Sequence, residues 1–114
     1  MGGYLYVASG AGGSLMKLGF SGNPANRVKI ANYEKWGGYG DWCLRAFGWA
    51  GQAGSLEGEL HAEFYDERVA LKWDRNWLPE ITRESYQSDI NRAIEKLTWL
   101  CDSPLEIVLP PWHA

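Results

Sequence analysis

The sequence predicts a small α+β fold: a three-stranded antiparallel sheet flanked by helices, with a C-terminal helix and a short closing strand. Three observations carry that prediction. Two apolar, aromatic-rich runs near the start are bounded by glycines, as the strands of a hairpin are. A capping residue and a proline then open a helical stretch directly after the second run. Further along, apolar residues recur at helical spacing in two separate segments.

The elements follow in order. "YLYVAS", residues 4–9, is aromatic and β-branched and reads as the first strand. "SLMKLGF", residues 14–20, returns beside it, and the glycines at 10, 12 and 13 permit positive φ in the turn between them. "SGNP" breaks that strand. Asn23 is a good N-cap and Pro24 suits the first helical position, because its missing N–H had no helical partner to lose. The helix is expected over 24–33, with Arg27 in its first turn. "WGGYG" reads as a loop and 42–50 as a third strand. A second helix is expected over 55–69, with Ser55 as N-cap and Leu56, Leu60 and Phe64 on one face. A tryptophan-rich loop containing Trp73, Trp77 and Pro79 follows. A third helix is expected over 83–100, burying Tyr86, Ile90, Ile94 and Leu97, and a closing strand over 105–109. The predicted order is ββαβααβ.

The 114 residues suffice for one domain with a real core but not for two, so residues 1–114 are expected to form a single domain. A hydrophobic content of 46% with seven tryptophans excludes a disordered chain. No apolar run approaches the roughly 20 residues a membrane helix needs. The first residues lack the charged and apolar regions of a signal peptide. Cys43 and Cys101 have no metal-ligand spacing and read as reduced thiols, which points to a cytoplasmic protein without a membrane partner.

Net charge is −3, which argues against gripping nucleic acid by bulk electrostatics. Its distribution says more. Residues 1–50 carry five basic residues (Lys17, Arg27, Lys29, Lys35, Arg45) against two acidic, giving +3. Residues 51–114 carry six basic against twelve acidic, giving −6. Contact with a polyanion is therefore expected on the first half, while the second half can supply metal ligands. On the first strand Tyr4 and Tyr6 share one face. Lys17 interrupts an apolar strand, where a lysine is usually a snorkelling edge residue.

These residues reach a resemblance. "YLYVAS", then "KLG", then "NPANR" with arginine eight positions after the glycine, resembles the GIY-YIG endonuclease superfamily. The likeness is greatest to the compact phage and bacterial branch whose second triplet reads Lys-Ile-Gly. "LEGELHAEF" is similar to that branch's helix carrying the metal-binding glutamate, and Trp77-Leu78 to its "Glu-Trp-Phe" segment, with Asn76 at the glutamate position. The resemblance spans residues 3–78 as a nuclease core, with 79–114 as a helical extension.

The resemblance implies a phosphodiesterase that cleaves DNA with one divalent ion, Mg²⁺ or Mn²⁺. Tyr6 matches the tyrosine of the first triplet, Lys17 stands where a second tyrosine is usual, and Gly19 matches the glycine. Arg27 matches the arginine and Glu57 the metal-binding glutamate. The chemistry suits these types. Guanidinium is always charged and forked to match two phosphate oxygens, and a helix's first turn favours an anion. A carboxylate with substrate phosphate commonly holds Mg²⁺. Glu59, Glu63 and Glu67 step along the other flank as a solvated face. His61, one turn after Glu57, is placed to orient the glutamate, touch the phosphate or assist proton transfer, or else is a satisfied structural histidine. His113 near the terminus reads as inert. A free lysine, pKa ~10.4, is mostly protonated at neutral pH. Arg27 and a divalent cation would lower that value, so Lys17 is either the general base or a charged phosphate contact, with Tyr6 or a metal-activated water as base in the second case.

Asn23, Pro24 and Gly19 are then structural. Tyr4, Lys29, Lys35 and an exposed Trp36 are expected to touch the nucleic acid, Trp36 and Tyr39 by stacking on bases. Specificity is expected from loops, from a homodimer or from a protein partner. The alternative is a weak or inactive module of the same fold that binds nucleic acid or a host defence protein. A third reading is self-association through the tryptophan-rich surface around Trp73 and Trp77.

Overall fold

The computed structural model describes residues 2–63, 68–73, 76–83 and 87–109, with side chains described for 2–63 and 90–109. Strand β1, Gly3–Gly10, and strand β2, Leu15–Ser21, form an antiparallel hairpin with Tyr6 opposite Gly19 and Ala8 opposite Lys17. The turn between them is held from a distance. Both oxygens of Asp41 accept turn amides, from Ala11 at 2.8 Å and Gly12 at 2.7 Å.

Helix α1, Pro24–Tyr33, follows. The Asn23 side chain accepts from the Asn26 amide at 3.2 Å, and Pro24 takes the first helical position. Pro24, Val28 and Ala31 fall one turn apart and are buried against the sheet. Strand β3, Cys43–Ala50, pairs with the other side of β1. A bulge between Val7 and Ala8 leaves Arg45 as the extra residue on β3, buried, with its Nη1 donating to Ser9 Oγ at 3.1 Å.

Helix α2 is Ala53–Glu63, strand β4 Arg68–Trp73, strand β5 Asn76–Arg83, helix α3 Gln87–Leu100 and strand β6 Glu106–Ile107. The sheet has six strands in the order β4-β5-β2-β1-β3-β6, and every pairing is antiparallel. The fold is α+β, but the expected three-stranded sheet is too small. The region expected to be helix tail and tryptophan-rich loop is the β4–β5 hairpin, which extends the sheet past β2. Pro79 does not prevent this. The β4–β5 register shifts between Val69 and Leu71, opposite Pro79, so the proline sits where no ladder bond is needed. Residues 79–114 contain helix α3, together with the end of β5 and strand β6.

Other boundaries move for local reasons. Ser55 is inside α2, not its cap: Ala53 is fully buried, and the carbonyl of Gln52 takes the amides of Ser55 and Leu56 at 3.0 and 2.9 Å. Val69 and Arg83 belong to strands, so α2 does not run to 69 and α3 does not begin at 83. The side chains of Phe64, Glu67, Trp73, Asn76, Trp77, Leu78 and Tyr86, and all of His113, lie outside the described residues.

Two apolar layers result. On one face Leu5, Val7, Met16 and Leu18 meet Ala53 and Leu60 of α2 and Ile90, Ala93 and Leu97 of α3. On the other, Ala8 and Leu15 meet Val28 and Ala31 of α1, with Trp36 and Trp42. Full burial of a leucine or valine contributes about 1.5–3 kcal/mol, so both layers hold β1 and β2 as the rigid centre. No helix among the described residues is long and apolar enough to cross a membrane.

Candidate active site

The site grows from the pairing of β1 and β2. Tyr6 and Gly19 are cross-strand partners, and a Cβ on residue 19 would lie 2.9 Å from the Tyr6 hydroxyl. Glycine here is what lets the Tyr6 ring lie across the strand. Lys17, two residues before Gly19, has its side chain on the same face. It is not a snorkelling edge residue. It is 4% exposed on an interior strand, between Ala8 of β1 and Ile81 of β5.

Arg27 comes from the other wall. Its amide donates to the Asn23 carbonyl at 3.0 Å, which closes the first turn of α1. Its exposed guanidinium lies over the Trp36 ring, 4.5 Å from the centroid, and Lys17 Nζ lies 4.6 Å from the same centroid. Trp36 was expected to be exposed and to stack on bases. It is instead 4% exposed, its indole N–H donates to Glu34 at 3.1 Å, and its π face is taken up by two cations. Trp36 thus packs against both positive groups without itself lining the cleft.

Helix α2 closes the third side. β5 pairs with β2 only along residues 15–17, and beyond that point the edge of β2 is taken by side chains. Glu57 Oε2 accepts from the Phe20 amide at 3.2 Å, and His61 Nε2 lies 2.8 Å from the Leu18 carbonyl oxygen. A carbonyl only accepts, so Nε2 is the donor in this contact. His61 Nε2 is 4.0 Å from Glu57 Oε2, one helical turn away. Both side chains are partly exposed, at 19% for His61 and 31% for Glu57.

Tyr6, Lys17, Gly19, Phe20, Arg27, Glu57 and His61 line one open cleft of about 250 Å³. Six of these seven were singled out from the sequence. Phe20 was not, since it contributes through its backbone amide, which no side-chain pattern signals. Trp36 beneath the cations was named for a different role. Its spacing from Arg27 offered no hint, because the two meet only once the turn 36–38 folds back under α1.

Other expected contacts fall outside the cleft. Lys29 and Lys35 are exposed and do not line it. Tyr4 lies two residues along β1 in a separate hollow with Phe47 and Trp49. Asn23 and Pro24 occupy their expected capping positions. Among the described residues no three His, Cys, Asp or Glu side chains come together as a metal cluster. A divalent ion in the cleft would therefore rest on Glu57 with water and phosphate oxygens. That fits a hard cation that keeps most of its water, and Glu57 is held in place by the Phe20 amide. Comparisons with protein-family models, curated proteins and solved structures gave no match.

Proposed function

We propose that the chain is a metal-dependent DNA endonuclease of the GIY-YIG type, hydrolysing phosphodiester bonds in this cleft. One observation supports it above the others: two cations, a tyrosine, a carboxylate and a histidine from β1, β2, α1 and α2 share one 250 Å³ opening. Arg27, exposed and aimed by the α1 cap, takes two oxygens of the scissile phosphate. Lys17 adds positive charge behind it, and Trp36 keeps both cations in place before substrate arrives, so little reorganisation is needed during reaction.

Glu57 would hold the Mg²⁺ or Mn²⁺ ion, which when bound would supply charge relief to the leaving group. His61, tied to Leu18 through Nε2, fixes the helix turn that presents Glu57. The attacking water gives its proton to the Tyr6 phenolate while Lys17 stays charged, or to Lys17 in its neutral amine form, in which case Arg27 alone supplies the positive charge.

The test is nicking of supercoiled plasmid by the purified protein with Mg²⁺ or Mn²⁺. Nicking should stop on chelation and fall on the order of 100-fold or more in Arg27→Ala and in Glu57→Gln. Wild-type rates in Glu57→Gln would remove the metal assignment. No cleavage by the wild-type protein would leave the binding-module reading in its place.

A further inference from the structure

A second hollow lies on the same face of the sheet. Tyr4 is two residues before Tyr6 on β1, and their partners on β3 are Trp49 and Phe47. The rings meet edge-on: Tyr4 is 5.6 Å from Phe47 and 5.4 Å from Trp49, centroid to centroid. α1 covers this face only near Ala8 and Leu15, so the aromatic end stays open. The opening is about 320 Å³, edged by Ser103 and Glu106.

The ledge is exposed but built. Trp49 is 41% exposed, yet a Cβ on residue 2 would come within 2.8 Å of its indole, so the chain at Gly2 lies directly against the ring. Its carbonyl is also tied, accepting from the Asp102 amide at 2.8 Å. Trp99 on α3, by contrast, is 80% exposed. A fixed, half-open aromatic surface can accept a flat ring with little loss of side-chain freedom.

Two further features say which ring. Tyr6 lines the phosphate cleft and Phe47 lines the hollow, and these two are cross-strand partners, so the sites adjoin. Glu106 is the partner of Phe47 on β6. Its carboxylate repels a phosphate but accepts hydrogen bonds from the exocyclic amino group of a base such as cytosine. We propose that this hollow binds a nucleobase, with Tyr4, Phe47 and Trp49 as the stacking surface and Glu106 at the amino edge. The substrate then carries an unpaired base beside the phosphate held by Arg27, because a base inside a duplex already has both faces stacked. This rests on reading the cleft as a phosphate site.

The experiment compares binding of a short labelled oligo-dC with an abasic oligomer of equal length and equal phosphate count, in chelator and at one salt concentration. Oligo-dC should bind the wild-type protein on the order of 10-fold more tightly. Trp49→Ala should remove most of that advantage while leaving the abasic affinity unchanged, which also shows that the variant is folded. Trp49→Phe should keep part of it. Arg27→Ala should weaken both oligomers alike. Equal binding of the two oligomers by the wild-type protein, or an advantage that survives both Trp49→Ala and Tyr4→Ala, overturns the base site. An aromatic pocket with a carboxylate can also hold a cationic side chain. An arginine-rich peptide that binds at Trp49 without any oligo-dC advantage would overturn the proposal in that direction. If Arg27→Ala changes neither affinity, it is the phosphate reading of the cleft that fails.

Discussion

Gly19 stands under the Tyr6 ring, and the contact leaves no spare space: a Cβ there would meet the tyrosine Oη, Cζ and Cε1 at 2.9, 3.0 and 3.1 Å. Tyr6 is 1% exposed and cannot swing away cheaply. Gly19→Ala should cost about 1–3 kcal/mol in urea unfolding, as overpacking does. A variant as stable as wild type would show that the Tyr6 ring yields. Cys101 offers a second single-residue test. Burial, with the Asp102 carboxylate adding in the same direction, pushes its thiol up to about 11. An unfolded thiol ionises near pH ~8.5. Between those values the unfolded chain gives up a proton that the folded chain keeps, so stability falls as pH rises. The contribution is complete below the unfolded value and lost as pH climbs through about 11. The urea midpoint should therefore drop across that window, and less steeply in Cys101→Ala. Cys43, also raised by burial, keeps part of the slope in that variant.

Asp41 shows how one residue couples two elements. It precedes β3, yet it holds the β1–β2 turn by two amides 29 and 30 residues earlier in the chain. The turn needs that support because Ala11 has φ +55, a left-handed value that a side chain disfavours. Asp41→Ala should destabilise the protein by about 1–3 kcal/mol and expose the Ala11 and Gly12 amides to faster hydrogen exchange. Exchange rates no different from wild type would mean that the turn holds itself. Elements were legible in the sequence where local chemistry and tertiary structure agree. The hairpin 3–21 and the α1 cap are marked by glycines, Asn23 and Pro24, each acting on its own backbone. The β4–β5 hairpin was not legible. Val69, Leu71 and Trp73 do alternate as a strand should, but a glutamate-rich helical pattern runs up to them and Pro79 argues against the partner strand. Only pairing with β2 resolves the conflict, and that contact is invisible in local sequence. The same limit applies within the cleft: the resemblance pointed to Arg27 and Glu57, since residue types alone do not separate Glu57 from Glu59, but the burial of Trp36 against two cations depends on how the turn at 36–38 folds.

For the whole molecule, charge is divided and the cleft draws on both halves. Lys17 and Arg27 come from the segment of net +3, Glu57 and His61 from the segment of net −6. Binding to duplex DNA should then involve few phosphate contacts. The logarithm of affinity should fall with the logarithm of salt at a slope of about −0.9 per contact, and Arg27→Ala should reduce that slope by about 1. An unchanged slope would place the DNA elsewhere on the surface. The junction of α2 with β2 has a consequence for association between molecules. Past Lys17 the backbone of β2 is no longer covered by β5, and Glu57 and His61 occupy the bonding groups of Phe20 and Leu18. Alanine at both positions would free a short run of strand edge in the middle of the sheet. Such an edge can recruit a strand from another copy, the route by which sheet proteins aggregate. The side chains assigned to hydrolysis therefore also protect solubility.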